Sequence, residues 1–203
     1  AGELGRIVNC STSIRLWRPQ SYYDEPGRGT RARDGGGVLI TQGIHTLDLM
    51  LSLAGGIVEV AGYAVTSPVH RMETEDTVCA AVRFASGALG VIDATTAAYP
   101  GAAERIELIG TKGTASLAGT ALSVRYHDGR EETIEADASA GGTGADPMAF
   151  PHDYHLGLWR DFLDALETGR GPRISGAEGL KVHRLIDALL AAGATGGKVK
   201  VAS

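Results

Sequence analysis

Apolar and polar residues alternate in a series of short runs, and each run predicts a β-strand. The runs cover residues 6–17, 57–66, 76–84, 88–95 and 104–109. Phe84-Ala85-Ser86-Gly87 turns one strand back on the next, and Asp128-Gly129 centres a second hairpin over 121–136. Residues 198–201 offer a closing edge strand. Three segments follow the helical period instead. Residues 38–54 come after Gly35-Gly36-Gly37 and stop at Gly55-Gly56. His155, Trp159, Phe162, Leu163 and Leu166 share one face of a second helix, which stops at Gly169. A third starts at Ser175, where Glu178 completes a capping box, and presents Leu180, Ile186, Leu189 and Leu190 to a core. Residues 18–37 read as a loop, and the Gly/Ala-rich stretch 138–147 as a mobile one.

Strands in succession with a few helices, rather than strict alternation, predict an α+β domain with a mainly antiparallel sheet. Helices packed on one side leave the other sheet face open, and an open face suits a partner subunit.

The helix over 38–54 carries the most chemistry. At 100° per residue, Thr41, His45, Asp48 and Ser52 form a narrow polar stripe in a mostly apolar helix. Spacings of four and three put Thr41 and Asp48 within reach of the His45 ring. An imidazole oriented by Asp48 would serve as an acid or base near neutral pH. A solvated stripe with a satisfied histidine accounts for the same pattern. A metal reading needs a third ligand, and Asp153 and His155 have no close spacing to His45, so no metal site is expected. The glycines before the helix allow close approach of a loop or an anion, or simply tight packing. In the loop ahead of them, Tyr22, Tyr23, Arg28 and Arg31 are residue types that stack on sugars or fork onto carboxylates and phosphates.

Composition narrows the classes. With 203 residues and 43% hydrophobic residues the chain can bury a core. Its 19 basic and 24 acidic residues give a net charge of −5, which argues against a nucleic-acid or membrane-surface binder. The 29 glycines have no Gly-X-Y period, so they mark turns and close approaches. Cys10 and Cys79 both lie in alternating apolar runs and are expected as buried free thiols. No apolar run reaches the roughly 20 residues of a membrane span, and no basic-then-apolar leader opens the chain. The expectation is a cytoplasmic protein. Ala1 to Gly5 reads as a helix tail with a glycine stop, as in a piece cut from a longer protein. Gly142-Thr143-Gly144 and Gly110-Thr111-Lys112-Gly113 lack the strand-then-helix setting of a phosphate-binding turn.

The run Gly35-Gly36-Gly37-Val38-Leu39-Ile40-Thr41-Gln42-Gly43-Ile44-His45-Thr46-Leu47-Asp48 resembles the signature of the Gfo/Idh/MocA oxidoreductases. Trp17 to Asp24, Glu75-Asp76-Thr77, Phe84 to Ala88, Asp161 to Ala165, Gly169 to Pro172 and Leu185 to Ala188 resemble further stretches of that family. The resemblance implies that residues 1–203 are a C-terminal substrate-binding and oligomerisation domain, an open-faced antiparallel sheet with helices on one side. The family's N-terminal Rossmann domain, with its NAD or NADP and its lysine, has no counterpart here, so no cofactor is expected on this piece alone. The parent would transfer hydride between a nicotinamide and a sugar-like or cyclic polyol alcohol, as a homo-oligomer. His45 matches the family's catalytic histidine. Thr41 stands where many members have Asp and can orient substrate or water but cannot act as a carboxylate base. Asp48 matches an orienting Asp, and Tyr23, Arg28 and Arg31 fall in a loop that borders substrate. Relatives that use the cofactor transiently for hydrolysis or elimination, and a binding module without catalysis, are the alternatives.

Overall fold

The computed structural model describes residues 2–136 and 152–202. The expected mobile stretch 138–147 lies outside the described residues. Nine strands form one sheet: β1 (Ile7–Arg15), β2 (Ile57–Val65), β3 (Thr77–Phe84), β4 (Leu89–Thr95), β5 (Arg105–Gly110), β6 (Gly113–Ala118), β7 (Ala121–Tyr126), β8 (Glu131–Ile134) and β9 (Lys198–Lys200). Their order is β8-β7-β6-β5-β1-β4-β3-β2-β9. Each neighbouring pair is antiparallel except β1 and β4, which run parallel with Thr12 beside Ile92. The expected α+β class and mainly antiparallel sheet are what the chain forms.

The alternation in the strands decides which face is covered. Cys10 and Ile14 on β1, Val78, Val82 and Phe84 on β3, and Ile92 and Ala94 on β4 are buried on one side. Above them lie two helices, α3 (Ile44–Ala54) and α5 (Gly176–Thr195), which bury Leu47, Met50, Leu185 and Leu189 into the same core. Helix α5 comes so close to β2 that a Cβ on Gly193 would stand 2.7 Å from that of Ala64. Ser175 caps α5 by accepting from the Glu178 N–H at 3.2 Å, as its sequence predicts.

The residues of opposite parity face away. Ser11, Ser13 and Arg15, with Cys79, Ala81, Leu89, Val91 and Asp93, make an open face, where Arg15 pairs with Asp93. Cys79 is therefore exposed, not buried as its apolar run suggested, because it shares the parity of Ala81 and Arg83. Cys10 is buried.

Other departures are local. The loop 18–37 contains two single-turn helices, α1 (Gln20–Tyr23) and α2 (Arg31–Asp34). Strand β6 escaped the pattern because Gly113-Thr114-Ala115-Ser116 offers small residues with little apolar contrast. Residues 3–4 form a turn, with the Gly5 N–H donating to Gly2 O at 2.9 Å. Leu180 is exposed, and the core face of α5 runs instead through Val182, Leu185, Ile186, Ala188, Leu189 and Ala192. Helix α4 (Asp153–Thr168) buries only Ala165, and Trp159, Phe162, Leu163 and Leu166 are exposed. Among the described residues, the run Arg31–Ala54 is long and apolar enough by composition to cross a membrane. Gly35, at φ 77°, caps α2 and ends it, and Val38, Leu39, Leu47 and Met50 are buried in the core, so this is a core element.

Candidate active site

The segment over 38–54 is helical throughout, but not of one kind. Leu39–Gly43 is a π-helical turn, and the α-helix begins at Ile44. A π-turn carries one more residue between hydrogen-bonded partners, so the polar stripe read at 100° per residue breaks there. Gly43 makes the turn possible next to β1, because a Cβ there would sit 3.2 Å from both Ile14 Cδ1 and the Val38 carbonyl. Thr41 and His45 consequently face different hollows. Thr41 lines one of about 340 Å³ with Tyr22, Tyr23, Arg28, Gln42 and Met72. His45, Asp48 and Ser52 line a groove of about 820 Å³ between α3 and α5, together with Arg173 and Lys181.

The start of the helical segment is held from behind. The Gly37 N–H lies 3.1 Å from both Glu75 carboxylate oxygens, and the Leu39 N–H donates to the same carboxylate at 3.3 Å. The Val38 N–H donates to the Glu75 carbonyl at 2.9 Å. The chain's own carboxylate thus occupies the anion position at this helix start. Burial pushes the Glu75 carboxyl above its usual range, and the hydrogen bonds from Leu39 and Gly37 pull back only part of the way.

The neighbouring residue, Asp76, is buried beside His70. Its carboxylate accepts from the Ser67 N–H and hydroxyl, both at 2.7 Å, and from the Thr77 hydroxyl at 3.0 Å. His70 Nδ1 lies 2.7 Å from Asp76 Oδ2. Burial alone would push the Asp76 carboxyl up, but these hydrogen bonds together outweigh it and hold the group below its ordinary value.

In the smaller hollow, Arg28 is held by Glu25 and Tyr22. Its Nε and Nη2 donate to Glu25 at 3.0 and 2.7 Å, Nη1 donates to the Tyr22 hydroxyl at 2.7 Å, and its plane sits 4.2 Å from the Tyr22 ring centre. The Arg28 hydrogen bond holds Glu25 below the usual carboxylate range. Tyr22 accepts from Arg28 and, at 3.5 Å, from Gln42, which leaves its own hydroxyl hydrogen to donate. The Thr41 hydroxyl reaches the Gly37 carbonyl at 2.7 Å and also contacts Gln42. The Tyr23 hydroxyl pairs with Thr96 at 2.8 Å, and its buried ring forms one wall. Arg31 does not line this hollow; its backbone N–H donates to Glu73 at 3.3 Å.

The structure thus brings Thr41, Tyr23 and Arg28 together and sets His45 with Asp48 around the helix from them. Among the described residues no hydrogen bond or ion pair reaches the His45 ring or the Asp48 carboxylate. Lys181 shares the His45 groove, although far away in sequence, with its ammonium held by Glu178 at 2.6 and 2.7 Å. No group of three potential metal ligands occurs among the described residues. Sequence reasoning missed Gln42, Met72 and the buried pair Glu75 and Asp76. The two adjacent acids opening an apolar strand were the available signal, since carboxylates there need buried partners.

Residues 1–116 match the model of the GFO/IDH/MocA C-terminal domain. The chain belongs to the GFO/IDH/MocA family. It is 28% identical over 155 residues to myo-inositol 2-dehydrogenase of Thermotoga maritima, an alignment covering 72% of this chain and 44% of that protein. Among solved structures it is similar to the WlbA dehydrogenase from Bordetella pertussis in complex with NADH and UDP-GlcNAcA. That match has a TM-score of 0.78 and 28% identity, over 100% of this chain and 57% of the other. Levoglucosan dehydrogenase in complex with NADH and levoglucosan shares the fold, with a TM-score of 0.81 at 23% identity over 100% of this chain and 60% of that one. The chain spans about half the length of the curated relatives it matches. Its strand order and helix placement are those of a GFO/IDH/MocA C-terminal domain.

Proposed function

We propose that this chain is the substrate-binding and subunit-assembling half of an NAD(P)-dependent dehydrogenase acting on a sugar-like or cyclic polyol alcohol in the cytoplasm. One observation carries the reading. The His45 ring opens into a groove, with no hydrogen-bond partner among the described residues, and one turn earlier the same helical segment borders a hollow rimmed by the hydroxyls of Tyr22 and Thr41. The relatives support it: one is a myo-inositol dehydrogenase and another was solved with NADH and a nucleotide sugar.

His45 would take or hold the proton of the reacting hydroxyl. The other hollow, around the helix from His45, would hold a remote part of the substrate, with the Tyr22 hydroxyl donating to one of its oxygens and Thr41 and Gln42 orienting another. Arg28, neutralised by Glu25, stiffens Tyr22 rather than binding an anion. A nicotinamide, when bound, supplies the hydride acceptor. Neither glycine-rich turn among the described residues offers a cradle for the dinucleotide's phosphates. The glycine-rich helix start is filled by Glu75, and Gly110 to Gly113 joins two strands of a hairpin. The dinucleotide in this reading is held by the domain that makes up the rest of the relatives' length.

The test is His45→Ala in the longer enzyme. The expected result is a lower kcat with the substrate KM little changed and the fold intact. Unchanged kinetics would make His45 an ordinary surface histidine.

A further inference from the structure

The connection between β2 and β3, residues 66–76, runs behind the substrate loop and is bonded to it at several points. The Gln20 side chain accepts from the Arg71 N–H at 2.8 Å and donates to the Arg71 carbonyl at 3.3 Å. The Glu73 and Thr74 N–H groups both donate to the Gly29 carbonyl, at 3.1 and 3.2 Å. Met72 packs against Gly29 and reaches the smaller hollow. At the centre is His70, whose side chain is wholly buried. Its Nδ1 meets the Asp76 carboxylate at 2.7 Å, and its Nε2 meets the Arg18 carbonyl at 2.8 Å. A carbonyl only accepts, so Nε2 donates to the first residue of the substrate loop.

The ring has a second contact, through its face and edge. Tyr23 lies 4.8 Å away between centroids, at 61°. Tyr22 then meets Tyr23 edge-on at 5.0 Å, and Arg28 covers Tyr22. A continuous stack therefore runs from His70 through Tyr23 and Tyr22 to Arg28 and the rim of the hollow. None of it passes through the helical segment over 38–54, whose start at Val38 and Leu39 is held separately by Glu75.

We propose that His70 is a positioning residue for the substrate pocket: fixed between Asp76 and the Arg18 carbonyl, it sets the place of Tyr23 and, through it, of the Tyr22 hydroxyl. The assignment of the hollow to substrate rests on the dehydrogenase reading above, but the positioning of the loop does not.

The experiment has two arms. The first is amide hydrogen exchange on this chain with His70→Phe, which keeps a ring and removes both polar arms. Exchange at the Tyr22 amide in α1 and the Asp24 amide that caps it should quicken about tenfold, the scale of one lost hydrogen bond. The Thr41 amide, bonded to the Gly37 carbonyl, should keep its protection. Asp76→Asn is the milder cut, for use if His70→Phe does not fold, and should loosen the same amides. The second arm is steady-state kinetics in the longer dehydrogenase, where KM for the polyol should rise about tenfold while kcat holds. Equal loosening of Thr41 and α1, or kcat and KM changing together, would overturn the proposal. If the unaltered enzyme turns over no polyol, the dehydrogenase reading fails, and the exchange arm alone decides the role of His70.

Discussion

Glu75 stands directly behind Gly37, with its carboxylate 3.1 Å from the Gly37 nitrogen and its carbonyl bonded to the next N–H. A Cβ on Gly37 would lie 1.8 Å from the Glu75 carbonyl oxygen. Gly37 is therefore required for close approach, not for an unusual backbone angle. Gly37→Ala has to push the 66–76 connection away from the helix start, at a cost of about 3 kcal/mol, the upper end of the usual overpacking range. Thermal unfolding should show the loss, and Gly35→Ala makes an instructive comparison. A Cβ at Gly35 meets nothing within 4 Å, so that change costs only the strain of its φ of 77°.

The open sheet face predicts a chemical signature. Cys79 is exposed there, paired across the strands with Tyr63, and Leu89 and Val91 farther along β4 on the same face are also exposed. Cys10 is buried, and that burial pushes its thiol up, so little thiolate forms. In dilute native protein, iodoacetamide should label Cys79 and leave Cys10 until the chain is denatured. If copies assemble through this face, labelling of Cys79 should slow as concentration rises. Val91→Lys, which places a charge beside Cys79 on the same face, should abolish that slowing and give a monomer in light scattering. Labelling that is equally fast at every concentration would count against assembly through the sheet.

The proposed division of labour between this chain and a dinucleotide-holding domain predicts a calorimetric result. The helix start that follows the three glycines has its N–H groups taken by Glu75. Titrating this chain with NAD or NADP should give no binding heat. Micromolar binding would locate a nucleotide site on these residues and remove the main support for a second domain as the cofactor holder.

Much of this was legible in the residues. Strand alternation reports burial directly, so β1 to β5, the Asp128-Gly129 hairpin and the one-sided helix layer could all be read in advance. The resemblance brought His45, Thr41 and the Tyr23 loop to one helix and its neighbour. Two kinds of feature were not legible. A helical wheel assumes one pitch, and the π-turn at Leu39–Gly43 breaks it, so Thr41 and His45 separate into two hollows. Contacts distant in sequence leave no periodic trace. Glu75 lies 38 residues from Gly37 and His70 lies 52 from Arg18, yet these bonds shape the site. Arg28 is a residue type that forks onto anions, and the pairing of its Nε and Nη2 with Glu25, three residues away, leaves no periodic trace in the sequence.

The adjacent acids Glu75 and Asp76 predict opposite pH dependences of stability. Glu75 is raised from its ordinary value of 4.5, chiefly by burial, so the folded state favours its protonated form. Its contribution is fully present below pH 4.5 and is lost as pH rises through the folded value. Asp76 is lowered from 3.8 because its hydrogen bonds outweigh burial. Its contribution is present above pH 3.8 and is lost as pH falls through the folded value. From these two groups, the unfolding temperature should rise on acidification from neutral pH towards pH 4.5, then fall below pH 3.8. Glu75→Gln should flatten the first limb and leave the second. Asp76→Asn should do the reverse, at the expense of the Ser67 and His70 bonds at every pH. Circular dichroism melts from pH 3 to pH 8 would separate the two, and identical profiles for both variants would show that neither carboxylate carries the dependence assigned to it.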